Sequence, residues 1–142
     1  DIKPKAVRRV VLCTGKVYFD LLRERREREL SDIAIVRIEQ LNPFPAEALR
    51  DVLVPYAGVE EWVWCQEEPQ NQGAWQHVRQ HLEPFVTGQA LHYAGRPAYA
   101  APAEGFLVKH QHAQAALVGQ ALEPFQASNK TEIKARRRVR RA

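Results

Sequence analysis

"WVWCQEEPQNQGAW", residues 62–75, changes character halfway along. An apolar run ends at Cys65, a polar stretch carrying Pro69 and Gly73 follows, and Trp75, Val78 and Leu82 then recur at helical spacing. A short continuous apolar run rich in aromatics suits a strand covered on both faces. The proline- and glycine-bearing stretch suits a turn into a helix. The same residues also put a thiol, Cys65, close to two carboxylates, Glu67 and Glu68, types that serve as nucleophile and acid/base groups. The rest of the chain decides between connector and active site.

Working outward, three further short apolar runs recur: "VVLC" at 10–13, "IAIVRI" at 33–38 and "ALHY" at 90–93. Segments of helical period separate them. Val17, Tyr18, Leu21 and Leu22 form one apolar face, followed by a charged end in which Glu24 can meet Arg28. Pro45 suits the first turn of a second helix, with Ala48, Leu49, Val52, Leu53 and Tyr56 on its buried side. The third runs from Trp75 to Pro84 and a fourth from about Phe106 to Leu122. The order β-α-β-α-β-α-β-α predicts an α/β fold, a mostly parallel sheet with helices on both faces.

The 142 residues suffice for one domain, and no apolar run is long enough for a membrane helix. The formal charge of +4 is unevenly spread: residues 130–142 hold seven of the 21 Lys/Arg and one of the 17 acids. Residues 1–129 therefore carry 14 basic and 16 acidic side chains. The expected division is a linker at 1–6, a domain at 7–123 and a basic, disordered tail at 124–142. An Arg-rich tail is also what a nucleic-acid-binding module would use. The chain contains no methionine, so a fragment of a longer protein is expected. Cys13 and Cys65 each end an apolar run, which predicts buried, reduced thiols and no thiolate zinc site.

The candidate sites weigh towards structure. Glu67 and Glu68 are sequence neighbours and point apart in an extended chain. "CTGKVYF" at 13–19 has a Gly-Lys turn but lacks the further glycines and the Ser/Thr of a phosphate loop. His77 and His81 share a helix face without a third metal ligand, whereas His110 and His112 diverge. Arg96, in the proline-rich "YAGRPAYAAPAEG" at 93–105, is the cation that could clamp a carboxylate or phosphate. Its expected partner is Glu67 or Glu68.

Four motifs in order, "RRVVLCTGKVYFDLL", "AIVRIEQLNPFP", "WVWCQEEPQNQGAW" and "YAGRPAYAAPAEG", closely resemble the carboxyl-terminal domain of the 2-oxoglutarate dehydrogenase first component, from about Val7 to Leu122. The resemblance implies a transketolase carboxyl-terminal-like three-layer α/β/α sandwich whose mixed sheet has five strands, one antiparallel. The fifth would lie near residues 1–6 or upstream. It implies an enzyme that decarboxylates 2-oxoglutarate on thiamine diphosphate and Mg²⁺ and succinylates a lipoyl carrier in the citric acid cycle. Cofactor and catalytic residues would lie in preceding domains, with none here. The implied partners are those domains, a second subunit and the lipoyl succinyltransferase. The implied compartment is the bacterial cytoplasm or the mitochondrial matrix, the former preferred. The residues of interest become interface or effector positions: Gln40, Glu67, Glu68 and Arg96. Some relatives bind acetyl-CoA or a nucleotide near "EQLNPFPAE" at 39–47, but Ala46 and Glu47 stand where those relatives carry arginines. A pyruvate or branched-chain dehydrogenase β-subunit shares the fold, though "EEPQNQGAW" and "YAGRP" argue against it.

Overall fold

A computed structural model describes residues 2–86, 88–101 and 105–123. The four apolar runs are strands: β1 (Arg9–Cys13), β2 (Ile33–Arg37), β3 (Glu61–Cys65) and β4 (Leu91–Ala94). They form one parallel sheet in the order β2-β1-β3-β4. Between and after them lie α1 (Val17–Glu27), α2 (Ala46–Leu53), α3 (Trp75–Leu82) and α4 (Leu107–Leu122).

After their first residues the central strands β1 and β3 are apolar on both sides because the sheet is sandwiched, and the two-residue period sorts the strand side chains into two cores. Val10, Leu12, Trp62 and Trp64 pack with Leu49 and Leu53 of α2 and with Trp75, Val78 and Leu82 of α3. Val11, Cys13, Val63 and Cys65 pack with Val17 and Leu21 of α1 and with Leu117, Val118 and Ala121 of α4. The result is the three-layer sandwich that the alternating pattern implies.

Several expectations are corrected. All four strands are parallel, and residues 4–6 form a 3₁₀ turn, so the fifth, antiparallel strand is not found there. On α2, Ala48 is exposed and Val52 is 49% exposed, and Pro45 precedes the helix rather than opening it. Ala48 and Val52 face a groove of about 610 Å³ beside β2, which ends the sheet and has no neighbour on that side among the described residues. Glu24 does not pair with Arg28. Arg28 lies beyond the last turn of α1, where its guanidinium reaches Glu123 at 3.8 Å, while Asp20 and Arg23 pair within the helix. Residues 124–142, with the basic tail, lie outside the described residues.

Candidate functional site: the carboxyl edge of the sheet

Parallel strands all end at the same edge, so their turns gather there. The chain passes from β1 to β2 on one side and returns to β3 on the other. The crevice at this switch point, between the ends of β1 and β3, is where open α/β sheets take ligands. Here an ion pair between Lys16 and Glu67 spans it. Gly15 makes the tight turn before α1 with φ of 70°, a left-handed conformation costly for a residue with a Cβ. Its amide donates to the Glu39 carboxylate, which is also paired with Arg37. The Arg37 hydrogen bond lowers the Glu39 pKa, and Glu39 in turn raises that of Arg37. The Gly-Lys sequence is a turn closed by a carboxylate, consistent with its lack of phosphate-loop residues.

The opening stretch is organised by a side chain that sequence reading passed over. Gln66 is 1% exposed. Its Oε1 accepts from the Trp64 indole at 3.0 Å and the Trp75 amide at 2.9 Å. Its Nε2 donates to the carbonyls of Glu68 and Pro69 at 3.2 Å and of Gln72 at 2.8 Å. One amide thus joins the end of β3, the turn and the start of α3. The signal available in sequence was a glutamine directly after a fully apolar run, where strand pairing continues inward: its own amide donates to the Ala94 carbonyl at 3.2 Å. Gly73 is needed because a Cβ there would sit 2.9 Å from Glu68 Cβ and 3.1 Å from Gln66 Nε2.

Glu67, Glu68 and Arg96 do meet at this edge, but the expected ion pair is not formed. Arg96 Nε donates to the backbone carbonyl of Glu67 at 2.7 Å, and the Glu67 carboxylate is taken by Lys16. Glu68 is exposed and lends its carbonyl to the Tyr93 hydroxyl at 3.2 Å, which also donates to the Arg96 carbonyl at 3.0 Å. Burial is the main reason the Tyr93 pKa rises to about 12. The two loops are tied further by Asn71, whose side chain exchanges two hydrogen bonds with the Tyr99 backbone at 3.0 and 3.1 Å, and by Gln72 at 2.9 Å. Backbone recognition does the work expected of a salt bridge. Past this tie the surface turns apolar: Tyr99, Phe106, Leu107 and Val108 are all exposed.

Cys13 and Cys65 are free, fully buried and in register on adjacent strands. Burial pushes the Cys13 thiol up to about 12 and the Cys65 thiol higher still. Such thiols are poor nucleophiles, and the stretch that follows Cys65 joins β3 to α3. Gln40 is exposed and donates to the Pro43 carbonyl at 2.8 Å. Phe44 stacks on His81 and the His77 ring lies 2.9 Å from the Leu41 carbonyl, so the 39–47 segment lies against α3. These contacts account for both histidines. Among the described residues no three His, Cys, Asp or Glu side chains gather as metal ligands, and no helix is long and apolar enough to cross a membrane.

Comparison with known proteins adds what this geometry cannot. The family model for the 2-oxoglutarate dehydrogenase C-terminal region matches residues 1–122. The chain belongs to that family. The 2-oxoglutarate dehydrogenase E1 component of Haemophilus influenzae is 51% identical over 123 residues, covering 86% of this chain and 13% of the relative. That of Cupriavidus necator is 50% identical over 119 residues, covering 83% and 12%. That of Azotobacter vinelandii is 49% identical over 125 residues, covering 85% and 13%. The chain therefore spans about an eighth of the length of these relatives.

Proposed function

We propose that this chain is the carboxyl-terminal docking domain of a thiamine-diphosphate-dependent 2-oxoglutarate dehydrogenase first component and that the chemistry is performed by preceding domains. The observation that carries this reading is the family match across residues 1–122, with relatives near 50% identity that are all E1 components. The relatives' family membership also favours this enzyme over the β-subunits of related dehydrogenases. Their bacterial hosts support a cytoplasmic setting. In the complete enzyme the partners would be the preceding domains, a second subunit and the lipoyl succinyltransferase.

The residues of the carboxyl edge do not fit thiamine diphosphate with Mg²⁺. A Mg²⁺–diphosphate seat gathers several oxygens free to ligate. Glu39 and Glu67 are committed to Arg37 and Lys16, which leaves Glu68 alone, and among the described residues no three His, Cys, Asp or Glu side chains come together. What the edge offers is a pair of loops tied by Gln66, Asn71, Tyr93 and Arg96, next to exposed apolar side chains. That is the composition of a docking face, with Glu67, Glu68 and Arg96 as elements that shape it. Gln40 lies on the adjoining turn.

The test replaces the corresponding region of the Haemophilus influenzae relative with this chain. The chimera is expected to oxidise 2-oxoglutarate with an artificial electron acceptor, whereas the 142-residue chain alone neither turns over substrate nor binds thiamine diphosphate in calorimetry. Micromolar cofactor binding by the chain alone, or a folded but inactive chimera, counts against the reading.

A further inference from the structure

Arg96 is held at its root and unused at its tip. Its carbonyl accepts from Tyr93 at 3.0 Å and from the Gln70 amide at 3.1 Å, and its Nε is bound to the Glu67 carbonyl. Among the described residues, neither terminal nitrogen has a hydrogen-bond acceptor and no carboxylate is paired with this guanidinium. The side chain lines a cavity of about 370 Å³ between the turn after β4 and the middle of α4. That volume lies in the range of small-molecule sites.

The walls define a chemistry. Gln120 lines the same cavity; its Oε1 accepts from the Gly95 amide at 3.1 Å, and its amide NH2 is a neutral donor. The other walls include Pro97, Ala113, Ala116 and Leu117, and no acidic side chain lines the cavity among the described residues. One cation, the neutral polar groups of Gln120 and Tyr99 and an apolar floor favour an anion with a hydrocarbon portion. A guanidinium fork matches the planar carboxylate, two parallel N–H···O bonds to one group. Inorganic phosphate would use the fork and leave the apolar wall wet. We infer that this cavity is a binding site for a carboxylate carried on a short aliphatic arm, the head on Arg96 and the arm against Ala113, Ala116 and Leu117.

The site is a property of this chain and does not rest on the docking reading, so its test uses the chain alone. Amide resonances are followed during titration with hexanoate, butyrate, butanol and inorganic phosphate at constant ionic strength. Hexanoate is expected to give saturable shifts at Gly95, Ala113 and Ala116, with butyrate weaker and butanol and phosphate at least tenfold weaker. Arg96→Gln is expected to weaken hexanoate at least tenfold. Because that change also removes the Glu67 contact, Ala116→Leu is the second variant. It leaves Arg96 in place, fills the cavity from an exposed helix position, and is expected to abolish the shifts. Hexanoate shifts that persist in both variants, phosphate binding as tightly as hexanoate, or no saturable shift in the parent chain would each overturn the assignment.

Discussion

Gln66 occupies the position where a small change has the largest reach. An apolar replacement of similar size, Gln66→Leu, strips the Trp64 indole and the Trp75 amide of their acceptor. A buried donor left unpaired costs about 1–3 kcal/mol, so two of them predict a loss of roughly 2–6 kcal/mol in urea unfolding. A loss below about 1 kcal/mol would mean that water replaces the amide. The two thiols carry a pH signature. An unfolded cysteine releases its proton near 9, whereas folded Cys13 holds it to about 12 and folded Cys65 beyond. The folded state is therefore unpenalised below pH 9 and loses stability as pH rises above it, by about 1.4 kcal/mol per pH unit per thiol. The urea midpoint is expected to be level from pH 7 to about 8.5 and then to fall, and the double Cys→Ala variant should flatten that fall. An unchanged slope in the variant would place the titration elsewhere, Tyr93 being the next candidate.

At the scale of elements, Arg9 decides where the last helix ends. It is 4% exposed at the start of β1. Its guanidinium binds the Glu61 carboxylate, with Nε at 2.7 Å, and donates to the carbonyls of Ala121, at 3.0 Å, and Glu123. Carbonyls at a helix terminus have no partner within the helix, and a cation there also answers the helix dipole. One side chain thus joins β1, β3 and α4. Arg9→Ala leaves the partly buried Glu61 and these carbonyls without it, and about 3–5 kcal/mol of stability is expected to go. Arg9→Lys keeps the charge but not the fork and should recover only part of that loss. Equal stability of the alanine variant and the parent in thermal unfolding would show the contact to be dispensable.

At the scale of the molecule, the open side of β2 is the unfinished feature. The Ile38 amide donates to the Cys13 carbonyl, so by alternation the amides of Ile33, Ile35 and Arg37 face away from β1. Arg25 covers part of this edge by donating to the Ile33 carbonyl at 3.3 Å, one of the ways an exposed strand is kept from pairing wrongly. If the antiparallel fifth strand implied by the family resemblance comes from upstream, it belongs here. In hydrogen exchange, Ile35 and Arg37 are expected to exchange fast in this chain while Val36 is protected, and to become protected in the chimera with the Haemophilus influenzae relative. Fast exchange in both would place the fifth strand elsewhere. Much of this molecule was legible in its residues: four apolar runs and their helical intervals specify strands, helices and layers, because burial on two faces leaves the central strands β1 and β3 no polar position beyond their first residues, Arg9 and Glu61. The four motifs specify the family. What remained illegible depends on contacts between residues distant in sequence. Whether Glu67 meets Lys16 or Arg96, and whether α2 turns Val52 to a core or to an open groove, is settled by strand order and by which backbone carbonyls face the turns. Local spacing carries no information on either, since both arise only when the four strands are laid side by side.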